Sequence, residues 1–329
     1  HFSPLKLINE TNIDRLGLAW YYDLPTSMGT GVAAPLAVDG VLFFVTGHSV
    51  MHAMDAVTGK LLWRYDPEVY EVAGEELRGS WGVRGIVYSN NKVFTGTVDG
   101  RLIAIDAKNG TLVWSANTTK KNDGRYISGP PYIIGDKVII GHGGADFRPV
   151  RGYVTAYDLN SGEEAWRFFI VPGNPKDGFE NEAMRLAAKT WTGEWWKYGG
   201  GGTAWHAMAF DPELNYVYIG TGNGAPWNQK IRSPEGGDNL FLSSIVALDA
   251  DTGDYVWHYQ SNPGDTWDYN AAMDIELAEI PIDGVLRKVI LHAPKNGFFY
   301  VLDRTNGELI SAEPFANVNW AEKIGLDSG

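Results

Sequence analysis

The sequence predicts an all-β fold: a β-propeller of four-stranded antiparallel blades. Three observations carry this. A pattern of apolar strand, Asp, short turn ending in Gly, and then Trp recurs along the 329 residues. Its turn glycines sit at 59, 110, 162, 253 and 307, so successive spacings are 51, 52, 91 and 54, and a period of about 50 lies in the range of propeller blades. Each copy also follows short apolar runs separated by further turns, which makes each unit about four short strands.

Taken in order, Leu16 to Leu24 reads as a last strand without its blade, with Trp20 in the pattern's Trp position. Complete copies follow at Met54–Trp63, Ile105–Trp114, Tyr157–Trp166 and Leu248–Trp257. A fifth begins at Leu302-Asp303-Arg304-Thr305-Asn306-Gly307 but carries Ser311 in place of Trp. The Asp and the Thr, Asn or Ser before each Gly suit hairpin geometry, and the Gly supplies positive φ. Runs such as Val41–Val45 and Lys137–Gly141, introduced by Asp39-Gly40 and Gly135-Asp136, supply the preceding strands. The Trp of each last strand is placed to wedge between neighbouring blades. The long spacing holds roughly 40 surplus residues, Val171 to Gly202, including one helical stretch at Asn181–Lys189; such insertions tend to build functional surface. Five copies do not close a ring. Residues 1–329 are therefore read as a single propeller domain, incomplete on its C-terminal side, and a chain opening on His1 is expected to be processed or trimmed.

Composition narrows the chemistry. A formal charge of -13 argues against nucleic acid or an anionic membrane surface as partner. The absence of cysteine excludes thiolate zinc sites, iron–sulfur clusters, covalently attached c-type haem and disulfides within this chain. No apolar run approaches the roughly 20 residues of a transmembrane helix.

The stretch Gly199–Asp268 reads as a flat-ligand site. Four glycines and Thr203 lead to Trp205, so that backbone approaches a ring and an indole covers its face. Asn223, within Gly220-Thr221-Gly222-Asn223-Gly224, and Asp268, within Trp267-Asp268-Tyr269, offer oxygen donors of the kind a hard cation takes. Taken singly, Asn223 reads first as a turn residue, Asp146 is equally a solvated loop acid, and Arg84 and Lys295 read as surface cations, as lone basic residues usually are. His142, His206 and His292 read as packed or hydrogen-bonded histidines, with His206 next to Trp205. No Gly-Lys-Ser/Thr follows the glycine run, so a phosphate loop is a poor reading.

The repeated Asp-x-x-(Thr/Asn/Ser)-Gly-x-x-x-Trp unit, with Gly141–Asp146, Val150–Asp158, Gly220–Asn223, Trp267–Tyr269 and Lys295–Arg304 in order, resembles the tryptophan-docking motif of the quinoprotein alcohol dehydrogenases. These are eight-bladed propellers holding pyrroloquinoline quinone (PQQ) and a divalent cation, and about five blades are covered here. The resemblance implies that Trp205 is the indole floor beneath the quinone and that Thr203 touches the cofactor. Arg84, Ser128, Gly143 and Gly144 would anchor its carboxylates or oxygens, and Lys295 would approach the quinone oxygens. Asp146, Asn223 and Asp268 would bind the metal, and Asp268 would be the catalytic base. Three departures stand out. The family's vicinal cysteine pair is missing from Arg78–Gly82, where Trp81 is expected to line the pocket instead. A cofactor-contacting Glu is replaced near Thr30–Pro35, at Val32. Asp146 is one carbon shorter than the usual Glu. Lanthanide-using members carry an Asp two residues after the base; Asn270 stands there, which favours calcium.

The implied activity is oxidation of an alcohol, a sugar alcohol or bulky secondary alcohol, by hydride transfer to PQQ. Calcium serves as Lewis acid, Asp268 as base, and Lys295 stabilises growing negative charge. The implied location is the periplasm, with a separate electron acceptor such as a cytochrome c or a quinone. Two other readings stand beside this one: a non-catalytic envelope scaffold with the same tryptophan repeat, and a hydrolase using Asp146 and Asp268.

Overall fold

The computed structural model describes residues 5–24, 33–73, 82–206 and 208–326. Val32 and Trp81, singled out above, lie outside the described residues. The first blade is β1 (Leu36–Val38), β2 (Val41–Val45), β3 (Met51–Asp55) and β4 (Leu61–Tyr65). The second is β5 (Val87–Ser89), β6 (Lys92–Gly96), β7 (Arg101–Asp106) and β8 (Leu112–Asn117). The third is β9 (Tyr132–Ile134), β10 (Lys137–Gly141), β11 (Tyr153–Asp158) and β12 (Glu164–Phe169). A two-stranded ribbon, β13 (Gly200–Gly201) with β16 (Gly224–Ala225), flanks the fourth blade of β14 (Met208–Asp211), β15 (Tyr216–Gly220), β17 (Ser244–Asp249) and β18 (Tyr255–Gln260). The fifth is β19 (Ile275–Ile282), β20 (Val285–His292), β21 (Phe298–Asp303) and β22 (Leu309–Pro314). All five sheets are antiparallel meanders, as the repeat predicts.

Third strands such as β7 and β17 are buried on both faces because a blade packs on each side. They therefore read as continuous apolar runs, Leu102-Ile103-Ala104-Ile105 and Ile245-Val246-Ala247-Leu248. The fourth strand β8 lies outermost and alternates partly buried with exposed. Core clusters lie between sheets. One joins blades one to three around Phe94 and Ile103; another joins three and four around Phe168 and Val217; a third joins four and five around Tyr218 and Leu302.

The wedge is directly visible. The indoles of Trp20, Trp63, Trp114, Trp166 and Trp257 press on the turn glycines 59, 110, 162, 253 and 307 of the next unit; a methyl added at any of these glycines would meet a ring atom at 2.5–2.7 Å. The first four indole N–H groups donate to the carbonyls of Ala56, Ala107, Leu159 and Ala250, at 3.1, 2.9, 3.3 and 3.0 Å. The corresponding carbonyl of Arg304 instead accepts from the Tyr218 hydroxyl at 2.8 Å, and the Trp257 N–H has no partner among the described residues. Each of the four complete Trp-bearing repeats sets its Trp across from an alanine, and Ser311 faces Val301 in the fifth. Leu16–Leu24 docks through Trp20 and pairs with no described strand.

Two expectations change. The surplus residues fall in two segments, 170–207 and 221–243, because the loop between β15 and β17 is enlarged along with the connection before β14. The predicted helix is present as α2 (Glu182–Ala188), capped by Asn181. Two short helices were not expected: α1 (Val69–Ala73) and α3 (Gln229–Arg232), the latter capped by the Asn228 side chain. Four or five residues are too few to show a helical period.

Candidate functional site

The blade geometry gathers residues far apart in sequence by two rules. The segment just ahead of a blade's first strand supplies Arg84, Ser128, Trp205, Asp268 and Asn270. The connection after its second strand supplies Asp146, Asn223 and Lys295. Consecutive leading segments are bonded to one another: Ala34 N–H donates to the Arg84 carbonyl at 3.3 Å, and Arg84 N–H to the Ser128 carbonyl at 3.0 Å.

These side chains line one cleft of about 230 Å³, formed by Arg84, Tyr126, Ser128, Gly143, Asp146, Trp205, Asn223, Asp268, Asn270 and Lys295. The Arg84 guanidinium lies over the Trp205 ring, 4.8 Å from its centroid, and also donates to the Ser128 carbonyl at 3.0 Å. Burial lowers its pKa, yet a guanidinium starts high enough to remain charged. His206 stacks on Trp205 with centroids 5.6 Å apart, and its Nε2 lies 3.4 Å from the Asp274 carboxylate. Lys295 Nζ donates to Asp268 Oδ2 at 2.8 Å, and the Asn270 amide reaches Asp268 Oδ1 at 3.4 Å. Asp268 holds φ at 63°, a left-handed turn. Asn223 is buried, and its amide donates to the Gly224 carbonyl at 3.2 Å. Gly144 N–H donates to Asp146 Oδ1 at 3.2 Å.

Gly144 and Thr203 do not line the cleft. Gly144 turns the loop at φ 103° to present Asp146, and Thr203 is buried with its carbonyl accepting from Gly222 N–H at 2.7 Å, behind Asn223. The glycine run also has a different purpose from the one expected. Gly199–Gly202 all have positive φ, and a Cβ on them would strike protein: Val150, Val171, Asn223 or Ile170. The run is glycine because its backbone packs closely against protein, Gly199 and Gly201 on backbone and Gly200 and Gly202 on the side chains of Val171 and Ile170, and none of its four residues lines the cleft. Tyr126 was missed. The alternation Tyr126, Ser128 puts both on one face, so the signal was present. His142 and His292 are packed histidines, bonded to the carbonyls of Gly143 and Asp274.

The donor set suits a cofactor and cation of the kind inferred above. Two carboxylates and two amides offer hard oxygen donors, and Asn270 Oδ1 is buried without a partner among the described residues. Among the described residues no three His, Cys, Asp or Glu side chains gather around a metal position, so amide oxygens and a bound ligand's own oxygens would have to complete a shell. Arg84 and Lys295 supply positive charge for acidic groups, and Trp205 a flat apolar face. A larger cleft of about 790 Å³ is lined by the start of β11, the end of β12 and the loops around them, but its Arg151 and Arg167 are held by Glu180 and Glu164 at 2.6 and 2.7 Å.

Residues 1–313 match the family model for the PQQ glucose/ethanol/alcohol dehydrogenase β-propeller domain. The chain belongs to this family. It is 54% identical over 329 residues to the quinohemoprotein alcohol dehydrogenase ADH IIB of Pseudomonas putida, covering 100% of this chain and 47% of that relative. The crystal structure of quinohemoprotein alcohol dehydrogenase from Comamonas testosteroni superposes with a TM-score of 0.93 at 52% identity, over 98% of this chain and 48% of that one. A europium-containing methanol dehydrogenase superposes with a TM-score of 0.87 at 34% identity, over 98% and 57%. The chain thus spans about half the length of the quinohemoprotein relatives it matches. No described helix is long and apolar enough to cross a membrane.

Proposed function

We propose that the protein to which this chain belongs is a PQQ- and calcium-dependent alcohol dehydrogenase of the periplasm. The observation that carries this is the convergence of Trp205, Arg84, Asp146, Asn223, Asp268 and Lys295 on one cleft, from four blades, in a member of the PQQ propeller family. Trp205 is the floor for the quinone. Arg84, Ser128 and the Gly143 backbone orient its acidic groups, and Gly144 acts only by turning the loop that presents Asp146. Asp146, Asn223 and Asp268 hold the cation. When bound, the cation polarises the quinone and the quinone takes the hydride.

Asp268 accepts the hydroxyl proton of the alcohol. Its left-handed turn and its bonds to Lys295 and Asn270 fix the carboxylate in the cleft. Lys295, paired with Asp268, stands where it compensates negative charge. Asn270, an amide where lanthanide-using relatives carry a carboxylate, supports calcium.

With no cysteine, the chain holds no covalently attached c-type haem, so electrons leave through another segment of the protein or to a separate acceptor such as a cytochrome c or a quinone. The missing vicinal cysteines point to a substrate larger than methanol, a sugar alcohol or bulky secondary alcohol. Faster turnover of methanol than of bulky alcohols would sink that part of the reading.

The deciding experiment is Asp268→Ala in the full-length protein reconstituted with PQQ and Ca²⁺. We expect activity to fall about 10²- to 10⁴-fold, with the quinone absorbance retained. Undiminished activity would refute the assigned base. Failure of the unmutated protein to take up PQQ would return the reading to a propeller scaffold.

A further inference from the structure

Arg232 is the largest fully buried side chain among the described residues. It ends α3, in the loop that leaves Asn223. Its Nε donates to Asn239 Oδ1 at 3.2 Å, Nη1 to the carbonyls of Pro226 and Trp227 at 3.0 and 2.7 Å, and Nη2 to the carbonyl of Asp265. All four acceptors are neutral oxygens. The guanidinium also packs against Gly224, where any Cβ would collide with it.

On the other side, Asp265 is 1% exposed, and its Oδ1 accepts from the N–H groups of Trp267 and Tyr269 at 3.2 and 3.1 Å. Those two amides flank Asp268 and define its left-handed turn. A chain of direct contacts therefore runs from Asn223 through Gly224, Arg232 and Asp265 to the turn carrying Asp268.

The Asp265 carboxylate is near enough to act on this charge but makes no ion-pair contact with it; a buried cation not hydrogen-bonded to a carboxylate is costly to a fold, and an apolar side chain of similar volume would be cheaper. Burial lowers the Arg232 pKa to about 10, with the charge of Asp265 opposing the shift. What a guanidinium offers there, and an apolar group does not, is a rigid fork that fixes several acceptors at once.

We propose that Arg232, acting with Asp265, is a positioning residue that sets the separation of the Asn223 loop from the Asp268 turn and so tunes affinity for the cation. This rests on the reading that Asn223 and Asp268 hold that cation.

The test titrates the PQQ-loaded full-length protein with Ca²⁺, following the quinone absorbance, in the unmutated protein and in Arg232→Lys, Asp265→Ala and Asn223→Ala. Melting temperatures are measured in parallel. Arg232→Lys is expected to lose roughly 10-fold or more in Ca²⁺ affinity, the usual effect of disturbing groups that orient metal ligands, at a temperature where it is fully folded. A purely structural role would lower the melting temperature and leave affinity in place. A smaller loss in Arg232→Lys while Asn223→Ala shows the full loss overturns this inference and leaves the cation reading standing. Unchanged affinity in Asn223→Ala overturns both. If Arg232→Lys does not fold, Asp265→Ala decides by the same criterion.

Discussion

Lys295 and Asp268 meet at 2.8 Å with their side chains 39% and 29% exposed, so their mutual attraction contributes little to stability and their juxtaposition bears on the cleft instead. Lys295→Met should lower kcat about 10²- to 10³-fold, the typical effect of removing one donor to developing negative charge, while PQQ uptake by absorbance titration changes little. Equal losses in kcat and in cofactor uptake would make Lys295 an anchor only. At this scale the sequence was partly legible. Trp205, Asn223, Asp268 and Lys295 stand in short distinctive contexts, and the cleft contains all four. Tyr126 was readable from its alternation with Ser128. Arg232 and Asp265 were not, because their connection crosses two loops that only the assembled blades bring together. The glycine run misled for a related reason: a glycine needed for close backbone packing looks the same in sequence as one that admits a ligand.

The turn beneath each indole is an element with two separable constraints. Gly110 has φ 74° and a Cβ there would meet the Trp63 ring at 2.7 Å, whereas Gly40 has φ 79° with nothing within 4 Å. Gly40→Ala should therefore show the backbone penalty alone, about 1–2 kcal/mol. Gly110→Ala adds displacement of a buried indole and its 2.9 Å bond to the Ala107 carbonyl, and should cost clearly more. Chemical denaturation of both variants checks the order; equal losses would show that the ring yields freely. The repeat was fully visible at this level because each turn needs the same Asp and Gly. Asp55 Oδ1 accepts from the Val57 and Thr58 amides, and Asp106, Asp158 and Asp249 accept from the equivalent amides of their own turns. The split insertion was less visible, since two irregular loops in one blade unit lengthen a single spacing.

Across the whole molecule, blade packing was legible because a period near 50 with wedge residues leaves few other architectures. The burial of polar groups between blades was not, since it depends on which side chains meet. Buried histidines, His142 and His292 among them, make stability depend on pH. His142 is 1% exposed, its Nδ1 lies 3.0 Å from the Gly143 carbonyl, and its Nε2 accepts from Tyr153 N–H at 3.3 Å. That arrangement requires a neutral ring with the proton on Nδ1. Burial, aided by Arg125 and Arg167, pulls its pKa down to about 3. His292, at the end of β20, is 2% exposed, and burial pulls its pKa to about 4. In the unfolded chain both titrate near 6.5. Below that value the unfolded chain binds protons that the folded chain refuses, so stability is full above pH 6.5 and falls as the pH drops toward 4. By pH 5 each histidine should remove roughly 2 kcal/mol. The midpoint of urea unfolding should therefore fall between pH 7 and pH 5, before carboxylates held low by their turns, such as Asp55 and Asp158, begin to protonate. His142→Gln keeps an acceptor for Tyr153 N–H and cannot titrate, so its midpoint should fall with a shallower slope over the same interval. Parallel slopes for the two proteins would mean that the folded molecule admits a proton at His142, and that the packing of Gly143 and Tyr153 around it opens more readily than these contacts indicate.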